Sequence, residues 1–184
     1  MNPSTEEIVA AVDATPATEV IVLPNNSNVI LSAEQAIALV NKPMRVVPTR
    51  SVQAGLAAMI AYDPEHGAAE NESSMGRALE GVATGEVTIA SRDVLLDGID
   101  VRKGAWLGLA DGEAVASGQS FDTVAGAVAE RLLDGGREIL TLLTGAEEPQ
   151  LDALVSEIEA RHPGLEIEIH AGGQPHYPLL LSAE

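Results

Sequence analysis

Val20-Ile21-Val22 runs straight into Leu23-Pro24-Asn25-Asn26-Ser27-Asn28, and near the other end Leu165-Glu166-Ile167-Glu168-Ile169 runs into His170-Ala171-Gly172-Gly173-Gln174-Pro175-His176-Tyr177-Pro178. Each is a short β-type run that meets residues suited to a sharp turn, since Asn and Gly tolerate positive φ and Pro presets its own. Such turns present amide groups at a strand end. In α/β proteins that is where binding loops sit.

Beyond these two stretches, strands and helices alternate. Pro3-Ser4-Thr5-Glu6-Glu7 opens a helix to about Val12, with acidic residues in the first turn as the helix dipole favours. After the strand Glu19 to Leu23, Ser32 and Gln35 read as a capping box for a helix to about Val40. Met44 to Val47 is a second strand, and Ser51 caps a helix to Ala61 whose Ala54, Ala57, Ala58 and Ala61 form a face small enough for close packing. A loop at Asp63 to Gly67 precedes a helix from Glu70 to about Val82 and a strand from Gly85 to Ser91. Gly98, Gly104, Gly108, Gly112 and Gly118 then punctuate short apolar runs, the spacing of an antiparallel meander with tight turns such as Asp111-Gly112. Ser120 caps a helix from Phe121 to Leu133 that Gly135-Gly136 stops. A second β-α-β follows: Glu138 to Leu143, a helix from about Pro149 to Arg161, and Leu165 to Ile169. Tyr177 to Leu181 is the last strand.

The fold class expected is α/β: a mostly parallel sheet flanked by helices, with an inserted antiparallel β meander. The 184 residues, 46% hydrophobic, suffice for one domain or for two packed lobes, 1–83 and 120–184, around an insert at 84–119. Because parallel strands of one sheet deliver their following loops to the same side, the Asn25-Asn26 and Gly172-Gly173 turns are expected on one sheet edge.

Composition narrows the function. With 28 acidic against 10 basic side chains the formal net charge is −18, which repels nucleic acid and anionic lipid and favours basic protein partners. Only four aromatics are present, so there is no stacking platform for single strands. No apolar run approaches the roughly 20 residues of a membrane span, so no membrane insertion is expected and a cytoplasmic protein is. Without cysteine there is no disulfide, thiolate zinc site or cysteine nucleophile.

Catalytic motifs are scarce. Lys42 and Lys103 are the only lysines and neither lies in a phosphate loop; no Gly-x-Gly-x-x-Gly follows the first strand, and neither a Gly-x-Ser-x-Gly elbow nor His-Glu-x-x-His occurs. No catalytic or metal-binding residue is therefore assigned. The candidate partner- or ligand-binding residues are polar groups at strand ends. Asn25, Asn26 and Ser27 supply neutral donors and acceptors. Thr49 and Arg50 precede a helix start, where free amides and a guanidinium suit an anion. Arg92 beside Asp93 forms a docking pair or a local salt bridge. His170 is open to acid, base or nucleophile chemistry, or to a structural role in its turn. Gly172, Gly173 and Gln174 form the closing turn.

Several ordered words also carry a resemblance: Met1-Asn2-Pro3-Ser4-Thr5, the Leu23 to Asn28 turn, Val47-Pro48-Thr49-Arg50-Ser51, Thr84-Gly85-Glu86-Val87-Thr88, Asp97-Gly98-Ile99 and Gly172-Gly173-Gln174-Pro175. Nearly the whole chain resembles the C-terminal domain of the bacterial fatty-acid-kinase-A family, also labelled DAK2-domain or dihydroxyacetone-kinase-like. The resemblance implies a non-catalytic domain that docks the fatty-acid-binding B subunit, so that the full-length protein makes acyl phosphate. It places ATP and Mg on a DhaL-like N-terminal kinase domain, followed by a central domain, both outside these residues, and implies no cofactor within them. Two other readings remain: a dihydroxyacetone-kinase-like substrate domain using His170, and a stand-alone small-ligand-binding domain using the Asn25 to Asn28 turn.

Overall fold

The computed structural model describes residues 2–147 and 149–184. The chain divides into two compact units, one ending at Val82 and one spanning Ala83–Glu184.

The first unit is a small three-layer arrangement. Two parallel strands, β1 (Val20–Val22) and β2 (Met44–Val46), pair Ile21 with Arg45. Helices α1 (Thr5–Ala14) and α2 (Ser27–Ala36) bury Ile8, Val12, Val29 and Ala33 against Met44 and Val46. Helices α3 (Val52–Ile60) and α4 (Ala68–Ala78), the latter continued by a 3₁₀ turn at Leu79–Gly81, bury Ala58 and Met75 with Val47. Strand alternation explains the split, because Val20 and Val22 pack with the first cluster and Ile21 and Leu23 with the second. Ser4 caps α1 in a complete capping box with Glu7, and the amide of Ser4 holds the exposed Glu7 carboxyl below its ordinary range.

Helix α2 begins five residues before the expected Ser32 cap. The Asn26 side chain accepts from the Asn28 amide at 2.9 Å and so starts the helix, which leaves Ser32 in its interior. Asn serves as an N-cap as well as Ser does, and the earlier of two acceptable caps lengthens the helix. Ser27 and Asn28 are consequently helical, and the turn proper is Leu23-Pro24-Asn25.

The second unit is a six-stranded sheet of order β7-β6-β3-β10-β8-β9. Its strands are β3 (Ala83–Ile89), β6 (Trp106–Ala110), β7 (Glu113–Gly118), β8 (Ile139–Thr144), β9 (Glu166–Ala171) and β10 (Leu179–Ala183); β4 (Val94–Leu96) and β5 (Ile99–Val101) form a separate hairpin. Helices α5 (Phe121–Leu133) and α6 (Asp152–Arg161) bury Val124, Val128, Leu132, Leu154 and Ile158 against Val87, Leu140, Leu142, Leu179 and Leu181. Ser120 caps α5, its hydroxyl accepting from the Thr123 amide. The meander turns at Asp97-Gly98 and Asp111-Gly112, with positive φ at all four residues as two-residue hairpins need.

The α/β class is observed, but the sheet is mixed rather than mostly parallel. Strands β8 and β9 run parallel in it, whereas β10 pairs antiparallel with both β3 and β8, and β3-β6 and β6-β7 are antiparallel. Each β-α-β unit does form a parallel pair, yet the two pairs lie in different sheets. The returning β10, almost wholly apolar and buried along its length, takes the central position between the meander and β8. Residues 84–119, read from sequence as an insert, thus supply three strands of the same sheet as the final strands. The expectation that the Asn25-Asn26 and Gly172-Gly173 turns share one sheet edge is overturned, since they follow strands of separate sheets.

Candidate functional site

In the first unit a polar cluster forms where the parallel strands end. Asn25 adopts φ 54°, and its backbone amide donates to the Thr49 hydroxyl at 2.9 Å. Thr49 is fully buried, so the two strand-end turns are tied together through it. Ser51 caps α3, its hydroxyl accepting from the Ala54 amide at 3.1 Å. The Asn25 carboxamide lies directly over Gly55, where a Cβ would collide with its oxygen. Its Oδ1 is buried without a hydrogen-bond partner among the described residues. Leaving such an acceptor dry and unpaired costs about 1–3 kcal/mol.

Arg50 is exposed just ahead of α3 and forms no ion pair among the described residues. A neighbouring cation, Arg45 on β2, reaches Glu72 on α4 at 3.5 Å. Helix α3 buries Gln53, Gly55, Ala57 and Ala58 and turns Val52, Leu56, Met59 and Ile60 outward. Those four recur at helical spacing on one face. Ile60 is 83% exposed.

In the second unit the closing turn is held by its own bonds. The Gln174 side-chain amide donates to the carbonyls of Leu143 at 3.0 Å and Tyr177 at 3.1 Å. The Gly172 and Gly173 amides donate to the Thr144 carbonyl, and those of Gly145 and Ala146 to Pro178 and Gln174. A Cβ at Gly172 would meet the Gln174 carboxamide oxygen and displace it. His176 sits at φ 71°, its carbonyl accepting from the Thr88 hydroxyl at 2.9 Å. A groove of about 820 Å³ lies here, lined by Ile89, Leu107, Gln174, Pro175, Tyr177 and others. Nearby, burial pushes the Glu86 carboxyl up; burial and then the Glu86 charge push the Tyr177 hydroxyl up.

His170 belongs to the edge strand β9 rather than to the turn, exposed and 3.4 Å from Glu168. The strand persists two residues past Ile169 because β8 pairs its Leu143 and Thr144 with His170 and Ala171. Arg92 is exposed in the bend after β3 and makes no ion pair with Asp93, whose carboxylate accepts from the Lys103 amide instead. Among the described residues no group of three or more His, Asp or Glu side chains is placed to hold a metal ion. Asn25, Thr49, Arg50 and the start of α3 are therefore brought together in the first unit, as are Gly172, Gly173 and Gln174 in the second, where the His170 carbonyl accepts from the Thr144 hydroxyl beside the closing turn. Sequence reading missed the outward row of α3. Its spacing is visible in Val52-x₃-Leu56-x₂-Met59-Ile60, but the interleaved alanines mark the opposite, buried face more strongly.

The FakA-like C-terminal family, of fatty acid kinase A-like domains, has a model that matches residues 1–184. The chain belongs to this family. An uncharacterized protein of Staphylococcus haemolyticus is 41% identical over 187 residues, spanning 100% of this chain and 34% of that protein. The chain thus covers about a third of the length of its curated relatives.

Solved structures add the fold. The Streptococcus pneumoniae fatty acid kinase B3 protein, loaded with linoleic acid, superposes with TM-score 0.68 at 14% identity, covering 99% of this chain and 76% of that one. A DegV-family protein from Eubacterium eligens loaded with heptadecanoic acid gives TM-score 0.66 at 12% identity, with 99% and 78% covered. Dihydroxyacetone kinase from C. freundii, in complex with AMP-PNP and Mg²⁺, gives 0.59 at 13% identity, with 98% and 41% covered. At these identities the likeness shows the fold, a DegV-like one.

The sequence resemblance is corrected accordingly. The first two of these structural neighbours are fatty-acid-loaded proteins of the B-subunit and DegV type rather than a C-terminal domain of fatty acid kinase A, and the curated relatives are about three times as long as the chain. What stands is a fatty-acid-kinase-related domain with a DegV-like fold. No helix among the described residues is long and apolar enough to cross a membrane.

Proposed function

We propose that this domain is a recognition module rather than a lipid carrier or a phosphotransfer centre: it docks a fatty-acid-binding protein of the B-subunit type, and phosphoryl transfer to the fatty acid takes place outside these residues. The observation that carries the reading is the Asn25 plug. In open α/β folds ligands enter the crevice at the carboxyl ends of parallel strands. Here that position is occupied by the protein itself, with the Asn25 side chain seated on Gly55 and the Asn25 backbone amide donating to the buried Thr49 hydroxyl. Beside it stand Arg50, without an ion pair among the described residues, and an outward apolar helix face, features suited to protein contact. ATP and Mg would be held by other parts of the full-length kinase.

A second reading is favoured by the groove at the closing turn, whose about 820 Å³ and apolar walls would admit an acyl chain. Calorimetry of the purified chain against an oleate-loaded DegV-family protein encoded in the same genome, beside titration of the chain with oleate alone, separates the two. Docking requires saturable binding in the first titration and none in the second. Oleate uptake by the chain alone would favour the carrier reading, and ATP-dependent acyl phosphate formation by the chain alone would overturn the proposal.

A further inference from the structure

We infer that the outward face of α3 is the docking surface and that its occupant is a protein face with an apolar centre, a basic group at one end and a carboxylate at the other; this rests on the docking reading above. Val52, Leu56, Met59 and Ile60 form one row, exposed by 46% to 83%, while the opposite side of the same helix is packed. The helix is thus held from behind by small residues and presents large ones. A contiguous apolar row on an otherwise acidic unit is an interaction signature rather than ordinary surface scatter.

Charge selects the occupant. The first unit carries ten acidic and four basic side chains, and Arg45 is engaged with Glu72. The C-terminal end of the α3 row runs into Asp63 and the exposed Glu65, and Asp63 is already shared with His66 at 3.5 Å. Arg50 marks the N-terminal end. A partner meeting this row with lysine or arginine near Glu65 and a carboxylate near Arg50 gains at both ends. A second copy of the chain brings the same acidic excess with it, and a single pair of three-turn helices buries less than the roughly 1,200–2,000 Å² of a stable specific interface. An apolar sheet of lipid is disfavoured by the same acidic excess.

The test is calorimetry against the oleate-loaded DegV-family protein, using wild type, Leu56→Asp, Ile60→Asp and Glu65→Lys, with circular dichroism and melting curves on each. These side chains are exposed, so the variants should fold as wild type does. Loss of affinity by about tenfold or more for each aspartate variant, and a smaller loss for Glu65→Lys that added salt erases, is expected for a buried apolar centre with a charged rim. Wild-type binding that all three variants match within about twofold overturns the α3 surface while leaving the docking reading intact. Absence of wild-type binding overturns both. Should sedimentation show a concentration-dependent dimer that Ile60→Asp abolishes without changing partner affinity, the occupant is a second copy and the inference fails.

Discussion

The two strand-end turns begin from similar sequence and end in opposite states. In the second unit the polar groups of the closing turn satisfy one another: Gln174 serves two carbonyls and four glycine or alanine amides serve three more. In the first unit Asn25 and Thr49 lock the turn, but among the described residues Asn25 Oδ1 has no partner and Arg50 no counter-charge, and α3, which follows Arg50, shows its apolar row to water. A saturated turn is a structural device. An unsaturated one departs from the rule that buried polar groups are paired, and such departures cluster at sites of function.

Substitutions in each turn put this difference at risk. Gly55→Val should drive a side chain into Asn25 and cost the first unit about 1–3 kcal/mol in urea unfolding. It should also weaken docking, because it displaces the turn beside Arg50. Gln174→Ala removes the donor shared by two carbonyls, at about 1–2 kcal/mol of stability, with no loss of partner affinity. A large loss of affinity with unchanged melting would reverse the assignment of the two turns.

Smaller effects separate the turns further. Asn25→Gly keeps the positive φ and deletes the unpaired oxygen, so stability should hold or rise by up to about 1 kcal/mol, and any loss of docking would then belong to the carboxamide itself. Glu86→Gln tests the raised carboxyl near the groove. A carboxyl whose folded value lies above its unfolded one holds extra protons when folded, so native stability falls as pH rises from the ordinary carboxylate range to the folded value. The variant should therefore melt higher than wild type at neutral pH and coincide with it at pH values below that window. Arg50→Ala should change folding stability least of all, within about 0.5 kcal/mol, and still weaken docking.

Much of the fold was legible because local signals and tertiary packing agree. Ser51 and Ser120 cap the helices their spacing announces, and Asp97-Gly98 and Asp111-Gly112 turn where two-residue hairpins demand it. Strand neighbours were less legible, since nothing local in Leu179-Leu180-Leu181 says that it inserts antiparallel between β3 and β8. Pairing over such separations is chosen by burial of the whole strand, not by its turns. At the site, residue types marked Asn25 and Gln174 as turn residues and Thr49 as a residue before a helix start, but which turn would be self-satisfied depended on carbonyls of Leu143 and Tyr177 that no pattern names.

Hydrogen exchange on the complex with the oleate-loaded DegV-family protein tests the assignment most directly, because it reads both turns in one unmodified chain. Partner binding should slow exchange across residues 50–62 and leave residues 172–178 unchanged. Protection confined to the closing turn, with 50–62 exchanging as in the free chain, would contradict it.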